Sequence, residues 1–80
     1  MPRYHFNVYD SIVATDEEGI VLVNLEAAKR EAVRSARALA AEQVIQGRLN
    51  LDHRIEVVEA RTVVWSVSFR DAIIFEGRVI

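Results

Sequence analysis

Eighty residues, 51% of them apolar and 28% charged, describe one globular domain spanning 1–80, well away from the low-hydrophobicity, high-charge composition of disordered chains. The absence of cysteine excludes disulfide staples, and two histidines without a Cys/His cluster offer no structural zinc site. A net charge of −2 supplies no global pull towards nucleic acid or anionic membrane, and no apolar run of about 18 residues is present to span one.

Arg3 to Tyr9 alternates, with Tyr4, Phe6 and Val8 on one face and Arg3, His5, Asn7 and Tyr9 on the other, which is the pattern of a half-buried first strand. Asp10-Ser11 reads as its exit turn, because both side chains bond locally to backbone. Ile12-Val13-Ala14-Thr15 can pair back onto that strand. Asp16-Glu17-Glu18-Gly19 follows as an acidic turn, with Gly19 suited to positive φ, and Ile20-Val21-Leu22-Val23 reads as a second extended segment.

Residues 25–46 form the only long helical pattern without Gly or Pro. Asn24 suits the N-cap, and Glu26 adds charge at the positive end of the dipole. Alanines at 27, 28, 32, 36, 38, 40 and 41 raise helix propensity. Projected at about 100° per residue, Leu25, Ala28, Ala32, Val33, Ala36, Leu39, Ala40 and Val44 gather into a flat stripe. Such a stripe complements the large inward residues Tyr4, Phe6, Trp65 and Phe69. Gly47 is placed to end the helix in the left-handed conformation, and Leu49 and Leu51 of the connector are placed to tuck under its end.

Alternation resumes at Arg54. Ile55 and Val57 face one way, Glu56 and Val58 the other, before a hairpin turn at Glu59-Ala60-Arg61-Thr62. Val63, Trp65, Val67 and Phe69 then alternate with Val64, Ser66 and Ser68, which predicts a strand with its large residues towards the helix. The expected architecture is α+β: a two-layer, antiparallel four-stranded sheet with one long helix packed on one face, in the order ββαββ. Residues 71–80 form an apolar C-terminal extension, in which Ile73-Ile74-Phe75 and Val79-Ile80 call for a strand, a cover for the core edge, or a second subunit.

The opening Met1-Pro2-Arg3-Tyr4-His5-Phe6-Asn7-Val8, the Asp16-Glu17-Glu18-Gly19 turn, the helix start Leu25-Glu26-Ala27-Ala28 with Glu31-Ala32 and Ala36-Arg37, and Phe69-Arg70-Asp71-Ala72 resemble an uncharacterised family of small proteobacterial proteins with a Met-Pro-Arg-Tyr-aromatic-Phe signature. The resemblance covers residues 1–72. It implies a bacterial domain of unknown function with no catalytic residues assigned. Element order alone is also similar to the partial RNase-H-like fold of HicB-type antitoxins, a likeness of fold analogy only.

The material for chemistry is thin. His5 beside Asn7 and near Asp10 can be drawn as a general base with an orienting partner, but an exposed polar strand face explains the pattern. His53 reads as a solvated loop residue. Asp16, Glu17 and Glu18 lack the spaced oxygen ligands of a calcium loop. With no nucleophile elbow, P-loop, dinucleotide fingerprint or zinc spacing, the expectation is no enzyme, no cofactor and no metal. Arg30, Arg34 and Arg37 project within about 60° of one another on the helix back, where they can meet phosphates or an acidic partner, or form a solvated face with Glu26 pairing Arg30.

A helix of about 33 Å must overhang strands of about 20 Å. Val44 and Ile45 at its end, together with Ile73, Ile74 and Phe75, form a candidate self-association surface. A core of this size contributes only about 3–5 kcal/mol, so a second subunit is the support to expect. The leading expectation is a cytoplasmic, homodimeric interaction module with no membrane partner. The alternative is a nucleic-acid-binding or antitoxin-like regulator using the three arginines.

Overall fold

The computed structural model describes residues 1–10 and 12–77, so Ser11 of the exit turn and Val79-Ile80 of the apolar tail lie outside the described residues. Among the described residues seven elements follow one another: β1 (Arg3–Tyr9), β2 (Val13–Ala14), β3 (Ile20–Val21), α1 (Leu25–Ile45), β4 (Arg54–Glu59), β5 (Thr62–Ser68) and α2 (Phe69–Ala72). All strand pairs are antiparallel, in the order β2-β1-β4-β5, with β3 also on β1.

The sheet therefore has five strands, where four were expected. Val13–Ala14 pairs with Val8 and Tyr9 at one end of β1, and Ile20–Val21 pairs with Arg3 and Tyr4 at the other. Both short strands occupy the same edge, because the turn between them bonds to the middle of β1 through side chains in place of a ladder.

In α1, Asn24 Oδ1 accepts from the Ala27 N–H at 2.9 Å, satisfying one of the free donors of the first turn. At the other end Gln46 is the C-cap, and Gly47 has φ +92, the left-handed conformation that releases the chain. Between them Ala28, Ala32, Ala36 and Ala40 recur every fourth residue and are buried. Their small side chains let the helix axis lie close to Ile55 and Val57 of β4, both fully enclosed. Tyr4, Val67, Phe69 and Ala72 complete the buried core, with Phe6, Val8, Leu25, Val33, Leu39, Leu49 and Trp65 packed around it. Val44 leaves the expected stripe. It is 58% exposed, since the helix has by then run past the sheet.

The β4–β5 hairpin turns at Ala60 and Arg61, which both adopt positive φ (50° and 66°), the mirror-image turn whose twist suits a hairpin. A register shift falls opposite Val57 and Val58: Val57 pairs with Trp65, but Val58 pairs with Val63. Val64 is the extra residue. The bulge corrects the expected alternation, because Val63 is carried off the core face to 52% exposure while Val64 packs against the core. A second correction concerns Phe69, which opens α2 and is not part of the strand. Ser68 caps that turn by accepting from the Asp71 N–H at 3.1 Å.

Candidate functional site

The first group of candidate side chains lies along the outer edge of β1. Asp16 Oδ2 accepts from the Phe6 N–H (3.2 Å) and Oδ1 from the Gly19 N–H (3.0 Å), while the Asp16 N–H donates to Asn7 Oδ1 (3.0 Å). His5 Nδ1 lies 2.8 Å from the Asp16 carbonyl; a carbonyl only accepts, so Nδ1 carries the proton. Arg3 Nη1 donates to the Glu18 carbonyl at 2.8 Å. Together these bonds make the acidic turn a plug that replaces the missing strand between β2 and β3. His5 and Asn7 are thereby structural partners of Asp16. They are not joined to Asp10, which lies five residues along an extended strand, about 17 Å from His5.

Burial works against ionisation of Asp16. The N–H bonds from Gly19 and Phe6, the charge of His5 and the N–H of Glu18 outweigh it and hold the carboxyl below its ordinary value. A depressed carboxyl stabilises the fold fully above the unfolded value of about 3.9, and this contribution is lost as pH falls through the lower folded value. Asp16→Asn is accordingly expected to be less stable than wild type at neutral pH, with the difference shrinking below pH of about 4. Urea titrations of both proteins across pH measure this, and a pH-independent difference would contradict the role given to the carboxylate.

The second group surrounds the overhanging end of α1, which has a different surface on each side. One side is a polar cleft of about 410 Å³ whose lining includes Asp10, Leu39, Glu42, Gln43, Arg48 and His53. Here Gln43 is fixed at both ends of its amide: Oε1 accepts from the Asn50 N–H (2.8 Å), which turns Nε2 towards His53 Nδ1 (2.8 Å). The amide nitrogen can only donate, so His53 Nδ1 is the acceptor and its proton sits on Nε2. The His53 ring stands edge-on to Phe69 at 5.7 Å, and its carbonyl accepts from the Phe69 N–H at 2.8 Å. The residue read as a solvated loop histidine is therefore a half-buried joint between α1, β4 and α2. Nothing in the local sequence around position 53 points to Gln43, ten residues earlier on a different element.

The other side is an apolar groove of about 420 Å³ lined by Arg37, Ala40, Ala41, Val44, Ile73 and Ile74. Arg37 Nε donates to the Ala72 carbonyl at 2.7 Å, which pins the chain leaving α2 along the helix. Ile73 packs against the core, while Ile74 is 82% exposed, Ile45 78% and Phe75 53%. The structure thus brings Val44, Ile73 and Ile74 into one groove, with Ile45 and Phe75 as further exposed apolar side chains.

The three arginines have separate roles. Arg34 makes a two-oxygen contact with Glu31 (2.8 and 3.0 Å), Arg37 holds the Ala72 carbonyl, and Arg30 is exposed with no hydrogen bond or ion pair among the described residues. Glu26 pairs with Lys29 at 3.6 Å and not with Arg30. Lys29 in turn stands 5.5 Å from the Trp65 ring. Among the described residues no group of three or more His, Asp or Glu side chains is placed to hold a metal ion, and no helix is long and apolar enough to cross a membrane.

Residues 3–70 match the model of a family described as a domain of unknown function, DUF6894. No curated protein and no solved structure gives a match.

Proposed function

The chain belongs to the DUF6894 family, and from that premise we propose that it is a non-enzymatic interaction module that self-associates through the flank of α1 carrying the apolar groove. The observation that carries this reading is the groove in which Val44 and Ile74, both large, apolar and exposed, stand beside Ala40, Ala41 and the half-buried Ile73. Covering them removes apolar surface from water at about 25 cal/mol per Å². The small core supports the same reading, since Phe69, Ile55 and Val57 are its only large, fully enclosed side chains among the described residues.

The arginine face supports a nucleic-acid partner less well. Arg34 is ion-paired with Glu31 and Arg37 is tied through Nε to the Ala72 carbonyl, so the three guanidinium groups do not form one unengaged row among the described residues.

Ile74→Glu and Val44→Glu test the reading directly. Both positions are exposed in the single chain, so neither change disturbs the core. Light scattering on a size-exclusion column is expected to give a wild-type mass of twice the 9.1 kDa chain and a mass near one chain for the double variant. A monomeric wild type at micromolar concentration would sink the reading.

A further inference from the structure

The sheet treats its two edges in opposite ways. The free edge of β1 is closed along its length, by β2 at one end, β3 at the other and the Asp16 plug between them. At the far side β5 ends the strand order with no strand beyond it among the described residues. Edge strands present unpaired N–H and C=O groups, and folds usually blunt them with charge, proline or a bulge. Thr62–Ser68 contains no charged residue and no proline. Its bulge at Val64 lies near the hairpin turn and leaves Trp65 to Ser68 in regular pairing with β4.

We infer that β5 pairs edge to edge with β5 of a second copy, antiparallel about a two-fold axis at Ser66, to make one continuous sheet across a homodimer. This rests on the self-association proposed above and names the contact that sets its geometry.

The sequence of β5 is complementary to itself in this register. Residues facing each other across a ladder must point to the same side of the sheet. Centred on Ser66, the pairing sets Ser66 against itself on the open face and Trp65 against Val67 of the second copy, twice, on the helix face. Aromatic against β-branched is a favourable cross-strand pair. The charges at the two ends of the strand agree with this direction. Arg61 sits at the hairpin end and Asp71 in the turn of α2 at the other; both are exposed, and neither has an ion-pair partner in its own chain among the described residues. Antiparallel pairing brings each Arg61 alongside Asp71 of the second copy, whereas parallel pairing would set Arg61 beside Arg61. α2 leaves the end of β5 and packs onto α1, where Arg37 holds the Ala72 carbonyl beside the apolar groove.

Ser66→Lys decides the contact, since Ser66 is exposed and the change places two ammonium groups face to face only if the strands pair. The expected result is a wild-type dimer by light scattering and a Ser66→Lys monomer with an unchanged circular dichroism spectrum. Arg61→Glu is expected to weaken the dimer about tenfold by like-charge contact, and Arg61→Glu with Asp71→Arg to restore it. Retention of the dimer by folded Ser66→Lys, with loss in Ile74→Glu, overturns the edge contact and leaves self-association through the groove standing. A monomeric wild type overturns both. Should Ser66→Lys fail to fold, the charge pair decides alone: no weakening, or no restoration by the swap, overturns the proposal.

Discussion

Phe69→Ala is expected to lose about 3–5 kcal/mol, the range for deleting a fully enclosed phenylalanine, and so to leave the chain largely unfolded at 25 °C, given the total stability of about 3–5 kcal/mol usual for a core of this size. Phe69 has no exposed surface. Its ring meets the edge of His53, and its N–H bonds to the His53 carbonyl, while Arg70 N–H bonds to the Leu51 carbonyl at 3.1 Å. It therefore adds the buried apolar contact to the polar bonds of Gln43 and Arg37 that hold the connector, β4 and α2 against the end of α1. Phe69→Leu keeps most of the apolar volume and is expected to stay folded with a loss of about 1–2 kcal/mol. Circular dichroism and urea titration separate the two variants. An alanine variant as stable as wild type would show that the helix end closes without this side chain.

The second large effect is expected at Gly19. With φ +70, any L side chain is strained there, and a Cβ would lie 2.7 Å from the Tyr4 carbonyl oxygen and 3.0 Å from His5 Nδ1 and Cε1. The left-handed conformation alone costs alanine about 1–2 kcal/mol. The carbonyl belongs to the β1 ladder and cannot move aside, so a total loss of about 2–4 kcal/mol is expected. Gly47→Ala is the control. Its φ is +92, but nothing stands within 4 Å of the new Cβ, so only the conformational cost applies. The difference between the two midpoints in urea reports the packing contribution at Gly19. Equal losses would mean that the Asp16 turn shifts freely and does not lock β1.

Local signals were reliable wherever the physics is local. Asn24 before the alanine run and Gly47 after it mark helix ends because a cap bond and a positive φ depend on a few neighbouring residues. The period-2 pattern of Arg3 to Tyr9 marks a strand for the same reason, since each side chain's face follows from its own backbone. Ala60 and Arg61 also turn the chain where expected, despite lacking the residues that usually favour that turn. Distance in the chain is what defeated prediction. Asp16 was legible as a turn residue, but its bonds to Phe6 and Asn7 span ten and nine residues and exist only once β1 is straight beside it. Alternation alone puts Val64 on the outer face, whereas a bulge is a property of the strand pair and exists only when β4 lies opposite.

Among the candidate functional residues the division is similar. Val44 and Ile74 are recognisable because an overhanging helix end and an apolar tail leave apolar side chains exposed, and both line one groove with Ile73, which packs against the core. Arg30, Arg34 and Arg37 share a helix face by projection, but projection does not show that the chain after α2 returns to occupy Arg37. His53 reads as a loop residue from its neighbours because its partner Gln43 comes from another element.

Composition and patterning by themselves determined an α+β domain with one alanine-faced helix over an antiparallel sheet, because propensity, capping and periodicity act over a few residues. Tertiary structure alone decided how the sheet edges end. The β1 edge is sealed by an acidic turn whose carboxylate substitutes for a strand, and β5 has no strand beyond it among the described residues, since each outcome depends on which backbone groups distant segments leave unpaired.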